Sequence, residues 1–399
     1  MEVKKSLKYG FDPDKYFAGI GEEFEGSLDD GADPEITIDL AASLGAKSMR
    51  IWMHHRRLLT LGANGLEWKE NALRRYHGYV DEIVRRGMRV VAMNHHYVQP
   101  RGCGCTTDTM EIPLPGTRAY FDQMNIIEQA YAMIAKEFPG IGYFECGNEV
   151  NMNFYLPKPC ACEKPIKNDE YDSDRYYTNV EKAEITADIC YYSTLGVRKG
   201  NPDAFVVFPA LTPYRGYAEA AEFMEYNYRA IESGKFPRGL KSDTNPDNYF
   251  QVHCWHAYNF GGDSSIIERG GKMLRTVMDR HGDAGKKIFI TEFGYTDYDF
   301  MKVRGMTKEQ ADETTAGFLE NDFKAFRAIG GVETVFIFRL YDWLRGPGME
   351  TGFGLFTSPA SDTGIAPKRR ALEIFRLFNG EGADAKMLYR YAKNEKNLS

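Results

Sequence analysis

Glu149 and Glu292 lie 143 residues apart, each closing a short apolar run. Two carboxylates brought face to face suit hydrolysis of a glycosidic bond, which needs one proton donor and one nucleophile flanking the scissile bond. Burial and neighbouring negative charge would raise one pKa and keep that group protonated near neutral pH. The other must stay ionised, and Arg50 and Tyr258 are its candidate partners. Taken singly, such a glutamate is more often a solvated or salt-bridged residue.

The company the pair keeps adds weight. Glu22, Glu23 and Glu25 follow the first apolar run, and Arg50, His54 and His55 stand near the end of the second. His95 and His96 follow the third run, and Asn148, Glu149 and Asn151 the fourth. The sixth ends with His253, His256 and Tyr258, and the eighth with Arg339, Asp342 and Trp343. Six of the eight histidines therefore gather at one kind of place. The stretch His54 to Arg57 reads either as an acidic-sugar contact or as a solvated helix start. The chain holds 25 Phe, 25 Tyr and 4 Trp, a surplus suited to stacking on sugar rings. Of Tyr97, Phe154, Tyr155, Trp255, Phe260, Tyr295, Tyr298 and Tyr341, three or four are expected to line a pocket.

Cysteine spacing suggests separate chemistry. Four of the seven cysteines form two C-x-C units, Cys103 with Cys105 and Cys160 with Cys162. Four thiolates from two neighbouring loops would close a tetrahedral structural zinc site, in which His96 or a water could replace one thiolate. Two disulfides or free thiols remain open alternatives. Cys146, Cys190 and Cys254 read as small core residues.

Eight apolar runs must position these groups, over 16–21, 47–53, 88–94, 142–146, 204–210, 249–255, 287–291 and 334–338. None alternates strictly, as expected of parallel strands buried on both faces. Helical periodicity fills 34–44, 71–86, 117–138, 180–199, 218–233, 265–281, 307–329 and 372–378. Eight strand–helix units without a Gly/Ser linker predict an α/β fold, a (β/α)8 TIM barrel. A single domain is expected over 1–399, with the barrel core over about 16–345 and a C-terminal helix and tail over 346–399. A dinucleotide-binding sheet would need a G-x-G-x-x-G turn, and the first run leads into GIGEEFEG instead. The polar set then gathers at the C-terminal mouth of the barrel.

Several of these stretches resemble motifs of glycoside hydrolase clan A. Glu145-Cys-Gly-Asn-Glu149-Val-Asn151 resembles the strand-four motif whose second glutamate is the acid/base. Ile290-Thr-Glu292-Phe-Gly resembles the strand-seven nucleophile motif, and His256-Ala-Tyr258 the strand-six H-x-Y whose tyrosine contacts the nucleophile. Arg50 matches the strand-two arginine; His95, with His96 nearly as good, matches the strand-three histidine. The motif set is similar to family 5, and the rhythm between strands four and six is similar to family 39. The resemblance implies a retaining O-glycosyl hydrolase in which Asn148 binds the sugar 2-hydroxyl, with no cofactor for catalysis. One departure concerns the strand-eight tryptophan platform, since FIFRLYDW offers either Phe338 or Trp343.

Composition limits the partners. Fifty basic against fifty-seven acidic residues give a net charge of −7, and no basic cluster points to nucleic acid. Mean hydropathy is −0.47, with no apolar run near the roughly 18 residues that span a bilayer. The start, MEVKKSLKYGFDPDKY, lacks the apolar core of an export signal, so a cytoplasmic setting is expected. A small carbohydrate is the expected partner, with exo-action on an imported β-linked oligosaccharide. Two rivals remain: a zinc-dependent barrel hydrolase and a carbohydrate-binding barrel without turnover. The first would want a histidine pair after strand one, where glutamates stand, and the second has no use for both Glu149 and Glu292.

Overall fold

The computed structural model describes residues 11–24, 28, 30–95, 112–159, 174–213, 216–234, 243–344 and 348–393. The eight apolar runs all become strands: β1 (Ala18–Glu22), β2 (Ser48–Trp52), β3 (Arg89–Met93), β4 (Ile141–Glu145), β5 (Phe205–Val207), β6 (Val252–His256), β7 (Lys287–Phe293) and β8 (Val332–Phe338). They form a closed parallel barrel in which each strand pairs with its neighbours in the chain and β8 closes onto β1. Around it lie α1 (Pro34–Ser43), α2 (Glu70–Arg85), α3 (Arg118–Glu137), α4 (Asn179–Gly200), α5 (Tyr217–Glu232), α6 (Ser264–Arg280), α7 (Lys308–Ile329) and α8 (Arg369–Asn379). The fold is a (β/α)8 barrel.

Local sequence sets the helix starts. Asp33, Thr117 and Asp263 each accept a backbone N–H of the first turn. Thr178 with Glu181, and Thr307 with Gln310, form reciprocal capping boxes. Such caps satisfy donors that the first helical turn leaves orphaned, each worth about 1 kcal/mol.

The two-residue period of a strand then sorts side chains into two cores. Val91, Tyr143, Phe205, Val207, Val252, Cys254, Phe289 and Phe336 fill the barrel interior. Their neighbours along the strands, among them Met49, Ile51, Val90 and Phe144, pack outward beneath the helices. Gly19 is forced by the inner packing: a Cβ there would lie 2.7 Å from the Phe336 ring. The buried Arg89–Glu333 pair at 3.0 Å is also within the barrel, with Arg89 reaching Ser48, Tyr143 and Thr334.

Several shorter elements lie outside the strand–helix reading. Leu59–Gly62 and Gly65–Trp68 form a hairpin between β2 and α2, and Asp297–Arg304 is a short helix after β7. The tail docks on α1, with Leu388 buried and the Tyr391 hydroxyl donating to Asp39 at 3.0 Å. No helix among the described residues is long and apolar enough to cross a membrane.

Candidate active site

On β2 the alternation turns Ser48 and Arg50 toward the barrel axis, where Arg50 becomes the hub of the mouth. It is fully buried. Its Nε and Nη2 donate to Glu145 at 2.6 and 3.1 Å, Nη1 donates to Glu292 at 2.7 Å, and Nη2 reaches Asn148 Oδ1 at 3.2 Å. The fork on Glu145 fixes the plane of the guanidinium, a geometry lysine could not reproduce.

Glu292 stands where β7 slips against β6: Trp255 pairs with Ile290, but His256 pairs with Glu292. The extra residue lets Thr291 and Glu292 both serve the mouth, since Thr291 Oγ1 still donates to Glu145 at 3.1 Å. Tyr258 donates to the second oxygen of Glu292 at 2.8 Å. Burial pushes the Glu292 carboxyl up. The His256 and Arg50 charges, with hydrogen bonds from Tyr258 and Arg50, outweigh that and hold it below the ordinary glutamate value. The Tyr258 phenol is pushed well up by burial and by Glu292, so it remains a donor.

Glu149 follows β4 on a turn. It is the one described non-glycine residue with a positive φ, at 44°. That region costs an L-residue roughly 1–2 kcal/mol, and such conformations concentrate at functional sites. His256 Nδ1 approaches Glu149 Oε1 at 3.0 Å and Glu292 Oε2 at 3.5 Å. The ligating atoms of Glu149, His256 and Glu292 all lie within 4.8 Å of one another.

The other expected residues divide by position. His95 is buried, stacks on His54 at 4.3 Å and has Tyr155 at 6.1 Å. Burial, then the nearby arginines, pushes its ring down to about 3, so it is neutral. Phe338 ends β8, its ring roughly parallel to Trp52 at 6.3 Å and edge-on to Phe353 at 5.4 Å. Trp343 lies in the loop beyond, 5.1 Å from the Arg339 guanidinium, which pairs with Glu22 at 3.2 Å. His96, Tyr97, Glu25 and the four paired cysteines Cys103, Cys105, Cys160 and Cys162 lie outside the described residues.

Several sequence expectations change. His253 belongs to the outer layer, because it alternates with Val252 and Cys254; it packs on Phe208 and Phe250 at 4.7 and 5.4 Å. Trp255 likewise faces Tyr217 at 5.4 Å, beneath the helices. His54 and His55 are neither solvated nor open to an acidic sugar, being buried against His95 and Tyr131. Tyr295 and Tyr341 are buried, bonded to Asp322 at 2.7 Å and Thr37 at 3.2 Å. Phe260 stacks on Tyr258 at 5.4 Å, and Tyr155 lies 6.1 Å from His95, so both stand beside expected site residues. Sequence reasoning missed Trp52 and Glu350, as well as the role of Glu145. Period two from Arg50 marks Trp52 as inward-facing, and the first glutamate of the β4 motif marks Glu145. No motif marks Glu350.

A closed eight-stranded barrel with glutamates beyond β4 and on β7 meeting at its mouth defines a glycoside hydrolase of clan A. The chain belongs to glycosyl hydrolase family 5: the family model described as cellulase (glycosyl hydrolase family 5) matches residues 28–325. No curated protein matches the sequence significantly. Similar solved structures include a family 39 glycoside hydrolase from the gut symbiont Bacteroides cellulosilyticus WH2, at 14% identity and TM-score 0.57 over 93% of this chain and 66% of that one. Another is the exo-β-1,4-mannosidase Op5Man5 from Opitutaceae bacterium strain TAV5, at 14% and 0.58 over 95% and 62%. A third is the GH53 catalytic domain of Ignisphaera aggregans, at 14% and 0.57 over 94% and 99%. The chain thus spans just under two thirds of the first two. At these identities the likeness concerns the fold. Glycoside hydrolases of this clan need no catalytic cofactor.

Proposed function

We propose that the protein is a retaining β-glycosidase with Glu149 as acid/base and Glu292 as nucleophile. The observation that carries this reading is the asymmetric environment of two facing carboxylates. Glu292 is held ionised between Arg50 and Tyr258 at 2.7 and 2.8 Å. Glu149 is reached from His256 at 3.0 Å and, among the described residues, has no guanidinium on it. Glu149 protonates the leaving oxygen while Glu292 bonds to the anomeric carbon, and Glu149 then removes a proton from the water that releases the sugar. Their oxygens, within 4.8 Å, suit the separation of about 5–5.5 Å for retention better than the 6.5–9.5 Å of inversion.

In this reading Asn148, whose side-chain oxygen accepts from Arg50 at 3.2 Å, binds the sugar 2-hydroxyl, and His95, His256, Tyr258 and an aromatic from Phe338 and Trp343 shape the same subsite. The substrate is a β-linked oligosaccharide or glycoside, taken from the non-reducing end. Similar structures described as an exo-β-1,4-mannosidase and a β-xylosidase support that choice. The three groups within 4.8 Å also give a metal-dependent hydrolase some footing. Both Glu292 oxygens, however, already accept from Arg50 and Tyr258, and a guanidinium at 2.7 Å opposes a second cation. A panel of aryl β-glycosides (glucoside, galactoside, xyloside, mannoside, fucoside and arabinoside) tests the reading. Wild type should turn over at least one, with or without chelator, and Glu292→Ala should lose that turnover. Undiminished activity in Glu292→Ala would reject the assignment.

A further inference from the structure

Six carboxylates crowd the mouth: Glu22, Glu23, Glu145, Glu149, Glu292 and Glu350. Five have partners in the fold. Glu145 and Glu292 share Arg50, Glu22 meets Arg339 at 3.2 Å, Glu23 meets Arg57 at 2.8 Å, and Glu149 meets His256 at 3.0 Å. Glu350 makes no side-chain hydrogen bond or ion pair with a described residue.

Its position is nevertheless fixed. Glu350 rides on the 3-10 turn Gly348–Gly352 after β8. Thr296 Oγ1 donates to the Met349 carbonyl at 2.6 Å, and Arg370 Nη2 donates to the Gly352 carbonyl at 3.0 Å. The next side chain, Phe353, packs on Phe338 at 5.4 Å and Tyr258 at 5.8 Å. The turn therefore clasps the β6 and β8 side of the mouth. Glu350 lies close enough to feel Arg339, Glu292, Glu23 and Glu149, and Tyr258 feels it in return. Its side chain is partly exposed, so an incoming ligand can reach it.

A carboxylate withdrawn from bulk water without a protein donor is costly. Burial, reinforced by Glu292, Glu23 and Glu149 against Arg339, pushes the Glu350 carboxyl up to about 7. A ligand supplying hydroxyl donors removes that cost. A ligand bringing a further carboxylate makes it worse.

We propose that Glu350 is a specificity-determining residue that accepts hydroxyl hydrogen bonds from the bound sugar and restricts the site to neutral glycosides, excluding uronides. This rests on the β-glycosidase reading and deepens it to a substrate class. The charge ledger agrees: with Glu149 protonated as the acid, the other five glutamates still outnumber the three guanidiniums, Arg50, Arg57 and Arg339, each engaged by a glutamate. Such a single-sign surplus disfavours anionic ligands before contact.

The test uses 4-nitrophenyl β-glycosides in matched pairs, glucoside with glucuronide and galactoside with galacturonide. Wild type should favour the neutral partner by about 100-fold or more in kcat/KM, as expected when a site's charge and hydrogen bonds are both mismatched. Glu350→Gln should narrow that ratio about tenfold, and Glu350→Ala should lower kcat/KM on the neutral substrate by about 10- to 100-fold, the range of a hydrogen bond to a charged group. A wild-type preference for the uronide overturns the inference without any variant. An unchanged ratio in folded Glu350→Gln also overturns it, while leaving the glycosidase reading intact. Wild-type inactivity on every neutral β-glycoside overturns both.

Discussion

Arg50→Met removes the hub of the mouth while nearly keeping its volume. In the native barrel this guanidinium meets Glu145 twice, at 2.6 and 3.1 Å, and Glu292 once, at 2.7 Å, with no solvent exposure. Deleting one partner of a buried ion pair strands the other, at a cost of about 3–5 kcal/mol. Glu145 is the stranded group, because it too is fully buried. Glu292 is affected differently. Its carboxyl sits below the ordinary value partly because Arg50 favours the anion, so its stabilisation is present above the unfolded pKa and lost as pH falls through the depressed one. Without Arg50, the anion loses one of the charges and one of the hydrogen bonds that favour it, so the carboxyl rises from its native value. The acid limb of kcat/KM should therefore move up, and turnover at its optimum should fall by about 10²–10³, typical for loss of one preorganised electrostatic group.

A second variant separates the two effects. Arg50→Met with Glu145→Gln replaces the stranded carboxylate by a neutral amide and should recover about 2 kcal/mol of stability, within the usual range for coupled neighbours. Activity should stay low, because Glu292 still lacks its cation. Denaturant unfolding and pH–rate profiles of the three proteins give the answer. Stability of Arg50→Met within about 0.5 kcal/mol of wild type, or an acid limb that does not move, would refute the reasoning.

Other perturbations test separate parts of the account. Asp322 is pushed up from 3.8 to about 7 by burial, against a hydrogen bond from Tyr295 at 2.7 Å. The folded state therefore holds a proton that the unfolded state has released, and stability falls as pH rises through that window. Asp322→Asn should gain on wild type by up to about 4 kcal/mol between pH 4 and pH 8, and a pH-independent difference in unfolding free energy would exclude this. Glu149→Ala should lower kcat/KM on aryl glycosides with poor leaving groups by about 10²–10⁴ while sparing kcat/KM on activated ones, the signature of a lost general acid; an equal drop in kcat/KM across leaving groups would contradict that role. Metal analysis of untagged protein should find about one zinc per chain held by Cys103, Cys105, Cys160 and Cys162, and less than about 0.2 would reject a structural site there.

The barrel is legible because each strand is a short apolar run and each helix a periodic stretch, five of the eight with a side-chain N-cap. Those local signals agree with the global fold. The hairpin Leu59–Trp68 escapes that reading although Asn64–Gly65 is a hairpin-turn signal. It is not part of the barrel, so no expected strand required it. Side-chain direction was the weaker inference. His253 and His256 belong to one strand, yet only His256 reaches the carboxylates, because period two puts His253 in the outer core. Glu292 breaks the same period through a register slip against β6, and that slip has no simple sequence signature. Buried partners were harder still. Glu145 precedes Glu149 in a recognisable motif, but its fork with Arg50 exists only once β2 and β4 share one interior. Glu350, 58 residues beyond Glu292 on a short turn, becomes visible only when the mouth is assembled.

The anomeric configuration of the first product tests the central assignment most directly. Proton NMR during rapid hydrolysis of the best aryl β-glycoside should show the β-anomer of the free sugar first, with the α-anomer growing only by later mutarotation. Initial release of the α-anomer would mean a single displacement, and Glu292 would then not be the nucleophile.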